Sequence, residues 1–491
     1  MKAAAAGILW FMLYAGAYPG EAAARDQSPA LRQLIYTEEI LKHAERKMDQ
    51  TLADLSYNSG LHPAHTDPAT GEWIYFSREQ WTSGFFAGSL WHMYQLTGDT
   101  RWREYATEWT LDMEPMAYSS SDHDTGFRIL SSFGRGMHLT GRRHYQRVVL
   151  QAAASLAKRF NPEIGAIKSW EPWEGIGNYP VIIDNLMNLE LLFTAAEIGG
   201  VPEWHDIAVK HAQTSLKHHM RPDGSTYHIV DFDDEGKVNR KFTTQGYDTD
   251  SVWARGQAWA VYGFTMVYRF TRQAEFLDAA IAAAEYFTEH LPEDRVPVYD
   301  FRETVPSLQT RDASAAAIIS SALLELFSFT QDSTWFSSAQ NILDSLSAEP
   351  YMVLQPGQSS ILGLSTLHRG AGGHGTAYAD YYFLEALIRF KEATGENFPE
   401  LLNKPEIYLE QNYPNPFSGR TTIFYTIENA GPVTISVYDI AGRQMLILLD
   451  DFLQAGTYNL NAAMTGFSSG IYFCVLRSGG EIRTKKMLLI R

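Results

Sequence analysis

The 491-residue chain contains a single cysteine, Cys474, so it can form no internal disulfide. It is also poor in positive charge, because 40 Lys and Arg against 57 Asp and Glu give a formal net charge of −17. This balance argues against nucleic acid or an anionic membrane as a partner. An anionic ligand would therefore need a local cationic site.

Long apolar runs are scarce as well, and the one clear example lies at the N-terminus. Met1 and Lys2 precede an apolar run over 3–18, and small residues follow at Ala22–Ala24. A charged start, an apolar middle and an Ala-x-Ala end predict a secretory signal peptide over 1–24. A membrane anchor is the alternative, but the run is short for one. We expect no membrane span in the mature form and passage through the periplasm during export.

Residues 25–397 have a helical pattern that repeats. Similar junctions recur at YQLTGDTRWREYA, MHLTGRRHYQRVV and AAEIGGVPEWHDIA, each with a short turn between two amphipathic helices. About twelve helices are predicted, near 31–56, 83–97, 100–116, 125–140, 142–160, 183–199, 203–220, 251–271, 273–290, 312–330, 333–348 and 376–395. Six antiparallel pairs closing into a ring predict an all-α (α/α)6 toroid, with the long links gathered at one mouth.

The composition changes after the helical region. Residues 398–410 are predicted to be a linker, and 411–491 a small all-β sandwich domain. The evidence is strand-like alternation in TTIFYTI, VTISVYDI, TYNLNA, GIYFCVLR and IRTKKMLLI, separated by Gly, Asn and Pro.

The stretch Gln245–Gly263, QGYDTDSVWARGQAWAVYG, combines charge and aromatics in an unusual way. Polar residues 248–251 are able to cap a helix that begins at 251. Arg255 lies between Trp253 and Trp259, and a buried arginine needs an anionic partner.

Two partners are open for Arg255. The tryptophans could stack on a sugar ring while the guanidinium binds the carboxylate of a sugar acid through two parallel hydrogen bonds. Alternatively, Arg255 forms a structural ion pair with Asp248 or Asp250.

Two aspartates stand at the starts of helices on the mouth side, Asp124 in HDTGF and Asp184 in IIDNLMNL. Each could simply cap its helix. Two carboxylates crowded at one aromatic-lined mouth would instead have different pKa values, as general acid–base catalysis requires.

Other motifs are set aside. His211, His218 and His219 are expected on the surface of an outer helix and not at a metal, so no metal or other cofactor is predicted. The acidic segment 231–236 lacks the bidentate glutamate of a calcium loop and predicts a hairpin turn. The GAGGHG segment at 370–375 follows no strand and predicts no nucleotide site.

Taken together, several ordered motifs resemble the unsaturated glucuronyl hydrolases of glycoside hydrolase family 88. They cover roughly 30–395: QWTSGFFAG, HDTGF, IIDNLMNL, RPDGSTYH, the stretch 245–263, RDASAAAI and YADYYFLEAL. The family has an (α/α)6 barrel, in agreement with the helix pattern.

The resemblance implies hydration of the C4=C5 double bond of an unsaturated uronic acid at the non-reducing end of lyase-generated oligosaccharides. It implies Asp184 as general acid/base and Asp124 as the second essential carboxylate. The implied substrate-binding residues are His123, His228, Gln245, Trp253, Arg255, Trp259, Trp81 and Trp170.

Three alternatives remain open at this point. The related family 105, the unsaturated rhamnogalacturonyl hydrolases, shares fold and chemistry. A non-catalytic glycan-binding protein would keep the aromatic mouth without needing either aspartate, and a sugar epimerase would usually need a histidine pair.

The C-terminal region resembles a type IX secretion sorting domain. The resemblance rests on LEQNYPNPF, VYDIAGRQM, FSSGIYFCVLRSGG and the basic end KKMLLIR. It implies that the type IX machinery is a partner and that the protein is secreted or held at the cell surface. A carbohydrate-binding sandwich is the alternative.

Overall fold

The structure, a computed structural model, describes residues 38–54, 60–172, 177–399, 407–427 and 429–490. The predicted signal peptide lies outside the described residues, as do most of the predicted linker and Trp173, a second tryptophan on the link that carries Trp170. The helices are α1 (Glu38–Asp54), α2 (Ser83–Thr97), α3 (Thr100–Asp112), α4 (Thr125–Ile129), α5 (Arg135–Thr140), α6 (Arg143–Ala157), α7 (Asn185–Glu197), α8 (Glu203–His219), α9 (Ala254–Thr271), α10 (Ala274–Glu289), α11 (Ala313–Thr330), α12 (Ser333–Leu346) and α13 (Ala377–Thr394).

These helices form the predicted (α/α)6 ring. The inner layer runs through α2, α4–α5, α7, α9, α11 and α13, and α13 packs back on α2 to close the ring. The inner helices are buried on nearly all sides, whereas outer helices such as α6 bury one face. Short turns join the pairs on one face, where Gly98 and Gly141 take the left-handed conformation.

The segment predicted as one helix over 125–140 is interrupted. A π-helical turn, Leu130–Gly134, separates α4 from α5. The hydroxyl of Ser132 donates back to the carbonyl of Arg128, which competes with the regular helical bond. Such turns are frequent beside functional sites, and this one follows directly after the link that carries Asp124.

Helix α11 is long and apolar enough to cross a membrane, in contrast to the expectation from the sequence. Its position explains the composition, because 78% of the helix is buried inside the ring. It is a core helix, as an inner element surrounded by other helices must be apolar all round.

The histidines of α8 are placed differently from the prediction. His211 and His219 are fully buried, so the expectation of surface residues was wrong. Each ring is fixed by the backbone of a link distant in sequence: the N–H of Ile167 donates to Nδ1 of His211, and Nε2 of His219 lies 3.0 Å from the carbonyl of Val181. Among the residues that the structure describes, no group of three or more His, Cys, Asp or Glu could hold a metal ion.

The links on the mouth side contain short strands that the helical pattern did not predict. They are β1 (Leu61–Thr66), β2 (Trp73–Ser77), β3 (Phe160–Asn161), β4 (Ala166–Ile167), β5 (Tyr179–Ile182), β6 (Ile229–Phe232) and β7 (Val238–Phe242). The acidic segment 231–236 falls in the β6–β7 hairpin, and Asp233 accepts the backbone N–H of Glu235 and Lys237. The predicted hairpin turn is confirmed.

The C-terminal region is all β, as predicted. Its strands are β8 (Tyr408–Leu409), β9 (Arg420–Ile427), β10 (Gly431–Asp439), β11 (Gln444–Leu453), β12 (Gly456–Ala463), β13 (Gly470–Ser478) and β14 (Glu481–Leu489). They form a four-stranded sheet, β11-β10-β13-β14, and a three-stranded sheet, β12-β9-β8, around one apolar core. Strand β11 was not predicted from the sequence, because its residues do not alternate between apolar and polar.

The C-terminal region contacts the ring near the start of α6. The side chain of Glu410 is almost completely buried, ion-pairs with Arg147 and accepts the backbone N–H of His144. Arg142 lies over the ring of Tyr408, with 4.5 Å between its guanidinium carbon and the ring centre.

A charged network crosses the centre of the ring. Glu385 of α13 pairs with Arg135 of α5 and with Arg389, and it accepts hydrogen bonds from Tyr262 (3.0 Å) and Ser321 (2.6 Å). Burial alone would raise the pKa of Glu385, but Arg389 and Arg135 hold it at about 2. The network therefore links four inner helices through one carboxylate.

Replacing Glu385 by Gln should destabilise the ring strongly, because Arg135 then loses its anionic partner and the buried hydroxyls of Tyr262 and Ser321 lose a charged acceptor, although Arg389 keeps Glu325. We expect a loss of about 3–5 kcal/mol in the free energy of unfolding. The matched control is Glu481→Gln, whose partner Arg483 is surface-exposed; we expect about 0–1 kcal/mol there. Calorimetry of both variants measures the difference, and equal small effects would contradict a stabilising network.

Candidate active site

Asp184 immediately precedes α7, but its carboxylate does not cap the helix. Its side chain is 15% exposed, and Oδ2 is buried without a hydrogen-bond partner among the described residues. Burial raises the pKa of Asp184 to about 7. The charge of Arg255 and a hydrogen bond from the Trp259 side chain act in the opposite direction, but their effect is smaller. Simple capping is therefore excluded as the reason for this aspartate.

Asp124 stands in the same position before α4, and within the described chain its side chain likewise makes no cap. Oδ1 lies 3.4 Å from Nε2 of His123. Burial, together with the charges of Asp122 and Asp184, raises the pKa of Asp124 well above its usual range. Two carboxyls with raised pKa values thus influence each other across the mouth.

The histidines beside these carboxyls are neutral. Burial lowers the pKa of His123 and of His228 to about 3. The backbone N–H of Thr244 donates to Nδ1 of His228, so Nε2 carries the ring hydrogen. This Nε2 lies 4.0 Å from Oδ2 of Asp184.

Aromatic rings form a continuous wall around the carboxyls. Trp81 contacts Tyr378 and Phe127, with ring centres 4.9 and 5.5 Å apart, and Phe127 contacts Trp259 at 5.3 Å. On the other side, Trp170 lies against His123 at 5.8 Å. Apolar faces of this size suit the flat, C–H-rich side of a sugar ring.

Gln245 and Trp253 present polar groups to the mouth. The hydroxyl of Tyr299 donates toward the backbone oxygen and the side-chain oxygen of Gln245, at 2.7 and 2.9 Å, which orients the Gln245 amide. The ring of Trp253 packs 4.9 Å from that of His228, and among the described residues its buried Nε1 has no acceptor. A buried N–H without a protein acceptor is expected to donate its hydrogen bond to a ligand or to water.

The structure corrects two predictions, the ion-pair partner of Arg255 and the cap of the helix that contains it. Helix α9 begins at Ala254, so residues 248–251 do not cap it as predicted. Arg255 pairs with Asp312, at 2.9 Å, and not with Asp248 or Asp250. Its Nη1 and Nη2 also donate to the carbonyls of Thr366 and Leu367.

Nη1 of Arg255 is committed to the protein, because it contacts Asp312, Ser314 and the carbonyl of Thr366. Among the described residues Nη2 makes one hydrogen bond, to Leu367, and Nε makes none. Since Nη2 has two N–H groups, one of them and the Nε–H have no protein partner, and these two donors could bind a substrate carboxylate together. The guanidinium also lies over Trp253 and Tyr378, at 4.8 and 5.3 Å from the ring centres.

The structure brings together all ten residues that the sequence analysis selected. It adds others that were missed: Asp122, Arg128, Tyr299, Asp312 and Tyr378. Tyr378 could have been predicted as a site residue, because it lies in the first turn of the last inner helix, at the mouth side. Asp122 and Arg128 gave none beyond lying next to the HDTGF motif.

A ring of helix pairs with two coupled carboxyls at an aromatic mouth fits the class of carbohydrate-active enzymes, and the comparisons with known proteins identify the protein as a glycoside hydrolase. Residues 54–293 match the model of Glycosyl Hydrolase Family 88. An unsaturated glucuronyl hydrolase of Formosa agariphila is 42% identical over 323 residues, which are 63% of this chain and 80% of the relative. An unsaturated chondroitin disaccharide hydrolase of Streptococcus pyogenes is 32% identical over 72% of this chain and 91% of the relative.

Solved structures agree with these relatives. The crystal structure of an unsaturated glucuronyl hydrolase specific for heparin superposes with a TM-score of 0.70 at 37% identity, covering 74% of this chain and 98% of that one. The chain belongs to glycosyl hydrolase family 88 and is a glycoside hydrolase.

The C-terminal region matches a second family model. Residues 411–490 match the secretion system C-terminal sorting domain. The protein therefore carries an export signal for secretion or display at the cell surface.

The raised pKa of Asp184 predicts a pH-dependent stability difference between the wild type and Asp184→Asn. A carboxyl whose folded-state pKa lies above its unfolded value stabilises the fold fully below the unfolded pKa, and this contribution is lost as pH rises through the folded pKa. The folded pKa is about 7 against a usual 3.8.

The stability of Asp184→Asn relative to wild type should therefore increase between pH 4 and pH 8, by up to ~4 kcal/mol. Thermal unfolding at several pH values measures it. Asp380, whose pKa burial also raises to about 7, titrates in both proteins and cancels in the difference. A difference independent of pH would contradict the raised pKa.

Proposed function

We propose that the enzyme removes a 4,5-unsaturated uronic acid from the non-reducing end of lyase-generated oligosaccharides by hydrating the C4=C5 bond. The observation that carries this proposal is the buried, unpartnered carboxyl oxygen of Asp184. Its pKa of about 7 keeps a large share of Asp184 protonated at neutral pH and ionised once the proton has been given away.

Recognition of the sugar acid rests on donors that converge on one side of the mouth. Nε of Arg255, the side-chain amide nitrogen of Gln245 and Nε1 of Trp253 are the groups we assign to the uronic acid carboxylate and its hydroxyls. Arg255 supplies the positive charge that acts on Asp184. Trp81 and Trp170, which are partly exposed, are assigned to enclose the ring of the sugar, and the fully buried Trp259 supports the site from behind through its hydrogen bond to Asp184.

The reaction begins with proton transfer from Asp184 to C4 of the vinyl ether. The electron pair of the C4=C5 bond forms the new C–H bond, and positive charge develops at C5 and the ring oxygen. Water attacks C5 and gives its proton to the Asp184 carboxylate, which produces a hemiketal. The hemiketal opens to a C5 ketone, and the hemiacetal left at C1 releases the next sugar with net consumption of one water.

His228 and Asp124 assist from opposite sides. The neutral His228 points Nε2–H toward Asp184 and favours its ionised form after proton transfer. Asp124, coupled to Asp184 by charge, is assigned to orient the attacking water by hydrogen bonding. We assign His123 to contact the substrate beside it.

The substrate class can be identified from ultraviolet absorbance, because hydration destroys the C4=C5 chromophore. Purified protein would be mixed with lyase-generated disaccharides from chondroitin, heparin, hyaluronan and ulvan. Loss of absorbance with one or more supports the proposal. Tight binding without loss of absorbance would indicate a glycan-binding protein and overturn it.

Asp184→Asn should lower kcat by about 10²–10⁴-fold, because the general acid is lost. Affinity for the disaccharide should change little, since the amide keeps the size of the side chain. The matched control is Asp99→Asn, which caps α3 near a short turn and keeps its capping function. Absorbance assays and calorimetric binding measure the two effects, and wild-type turnover in Asp184→Asn would remove Asp184 from the mechanism.

We further propose that a signal peptide over 1–24 takes the chain across the inner membrane and that residues 411–491 direct type IX export. Deletion of 411–491 should leave the enzyme in the periplasm. Cell fractionation compares it with full-length Asp184→Asn, which should be exported normally although inactive. Export of the shortened chain would contradict the sorting role.

A further inference from the structure

Asp122 and Arg128 form an ion pair directly beside Asp124. Both guanidinium nitrogens are involved: Nη2 contacts Oδ1 of Asp122, and Nη1 lies 3.2 Å from Oδ2. Arg128 is 1% exposed and Asp122 21% exposed, so the pair stands at the inner edge of the mouth. Bidentate geometry of this kind fixes both side chains.

The pair connects the reacting carboxyl with a neighbouring link. Oδ1 of Asp122 accepts the backbone N–H of Asp124 at 2.9 Å. Nη1 of Arg128 donates to the carbonyl of Glu79 at 2.6 Å, two residues before Trp81. The backbone of Asp124 and the link that carries Trp81 are therefore held by the same two side chains.

We propose that the Asp122–Arg128 pair is a positioning device for Asp124, which holds its backbone and sets the pH at which its carboxyl ionises. Neither side chain is assigned to touch the substrate. The proposal rests on the proposed function only for the role of Asp124 in turnover.

The charges around Asp124 come from several elements. They are Asp122 on its own link, Arg128 on α4, Asp184 before α7, and Arg159 after α6; His123 is neutral. Of these, Asp122 raises the pKa of Asp124 and Arg128 lowers it. Although burial of Asp122 works against its charge, Arg128 keeps the pKa of Asp122 below its usual value, so the pair stays ionised.

The two members of the pair act in opposite directions, which gives a test that a purely structural role would not pass. In Asp122→Asn the positive Arg128 remains, and Asp124 should ionise at lower pH. In Arg128→Gln the negative Asp122 remains, and Asp124 should ionise at higher pH. Arg128→Lys keeps the charge but loses the two-nitrogen contact with Asp122, so the pH at which Asp124 ionises should stay close to that of the wild type even if turnover falls.

The experiment measures kcat/KM against pH for the full-length protein. The acidic limb, which reports the first ionisation of the coupled carboxyls, should move by about 1 pH unit down in Asp122→Asn and up in Arg128→Gln. Unmoved limbs, or shifts of both variants in the same direction, would overturn the proposal. If one variant does not fold, the direction in which the acidic limb moves in the other variant still tests the proposal.

A matched control and a second readout complete the test. Asp223 also pairs with an arginine, Arg302, and accepts the N–H of the second residue after it, so Asp223→Asn removes a similar pair away from Asp124. Its pH profile should not move. Carbon-13 NMR of labelled aspartates, with the Asp124 signal assigned from Asp124→Asn, measures the ionisation without turnover.

The two readouts separate the two proposals. An inactive wild type would refute the proposed function, while the NMR titration would still decide the role of Asp122. Opposite shifts of the Asp124 signal in the two variants would support the positioning device, and an unshifted signal would refute it.

Discussion

The shape of the mouth depends on the buried ion pair between Asp312 and Arg255. Removing one partner would leave a buried charge uncompensated, at a cost of about 3–5 kcal/mol. The pair also fixes the backbone at 366–367, because Arg255 donates to the carbonyls of Thr366 and Leu367 and Asp312 accepts the N–H of Thr366. The inner helices α9 and α11 and the last long link are thereby joined at one point, which holds the Arg255 guanidinium where its charge acts on Asp184.

Carboxylates at this mouth divide into those with backbone partners and those without. Asp300 accepts three backbone N–H groups, from Tyr247, Val252 and Arg302, and so organises the segment before α9. Asp184 has no such partners on its buried oxygen. Burial without compensation favours the protonated carboxyl, and this difference separates an aspartate that can donate a proton from one that only supports a loop.

Much of this arrangement could be predicted from the sequence, and the failures have a common cause. Helix pairs and the selected mouth residues follow from local periodicity and motifs. The partner of Arg255 could not be predicted, because Asp312 lies 57 residues away and only the ring closure brings it near. The same holds for His211, buried against a link 44 residues distant.

Export and catalysis are separated by the architecture of the ring. Short turns lie on one face and the mouth with Asp124 and Asp184 on the other, and Glu410 contacts α6 at its first turn, just after the short turn at Gly141. Within the described residues, Tyr408 and Glu410 meet the ring at Arg142, His144 and Arg147, at the short-turn end of α6. Because these contacts involve neither Asp124 nor Asp184, recognition of the sorting domain and access to the mouth do not compete for the residues that join the two.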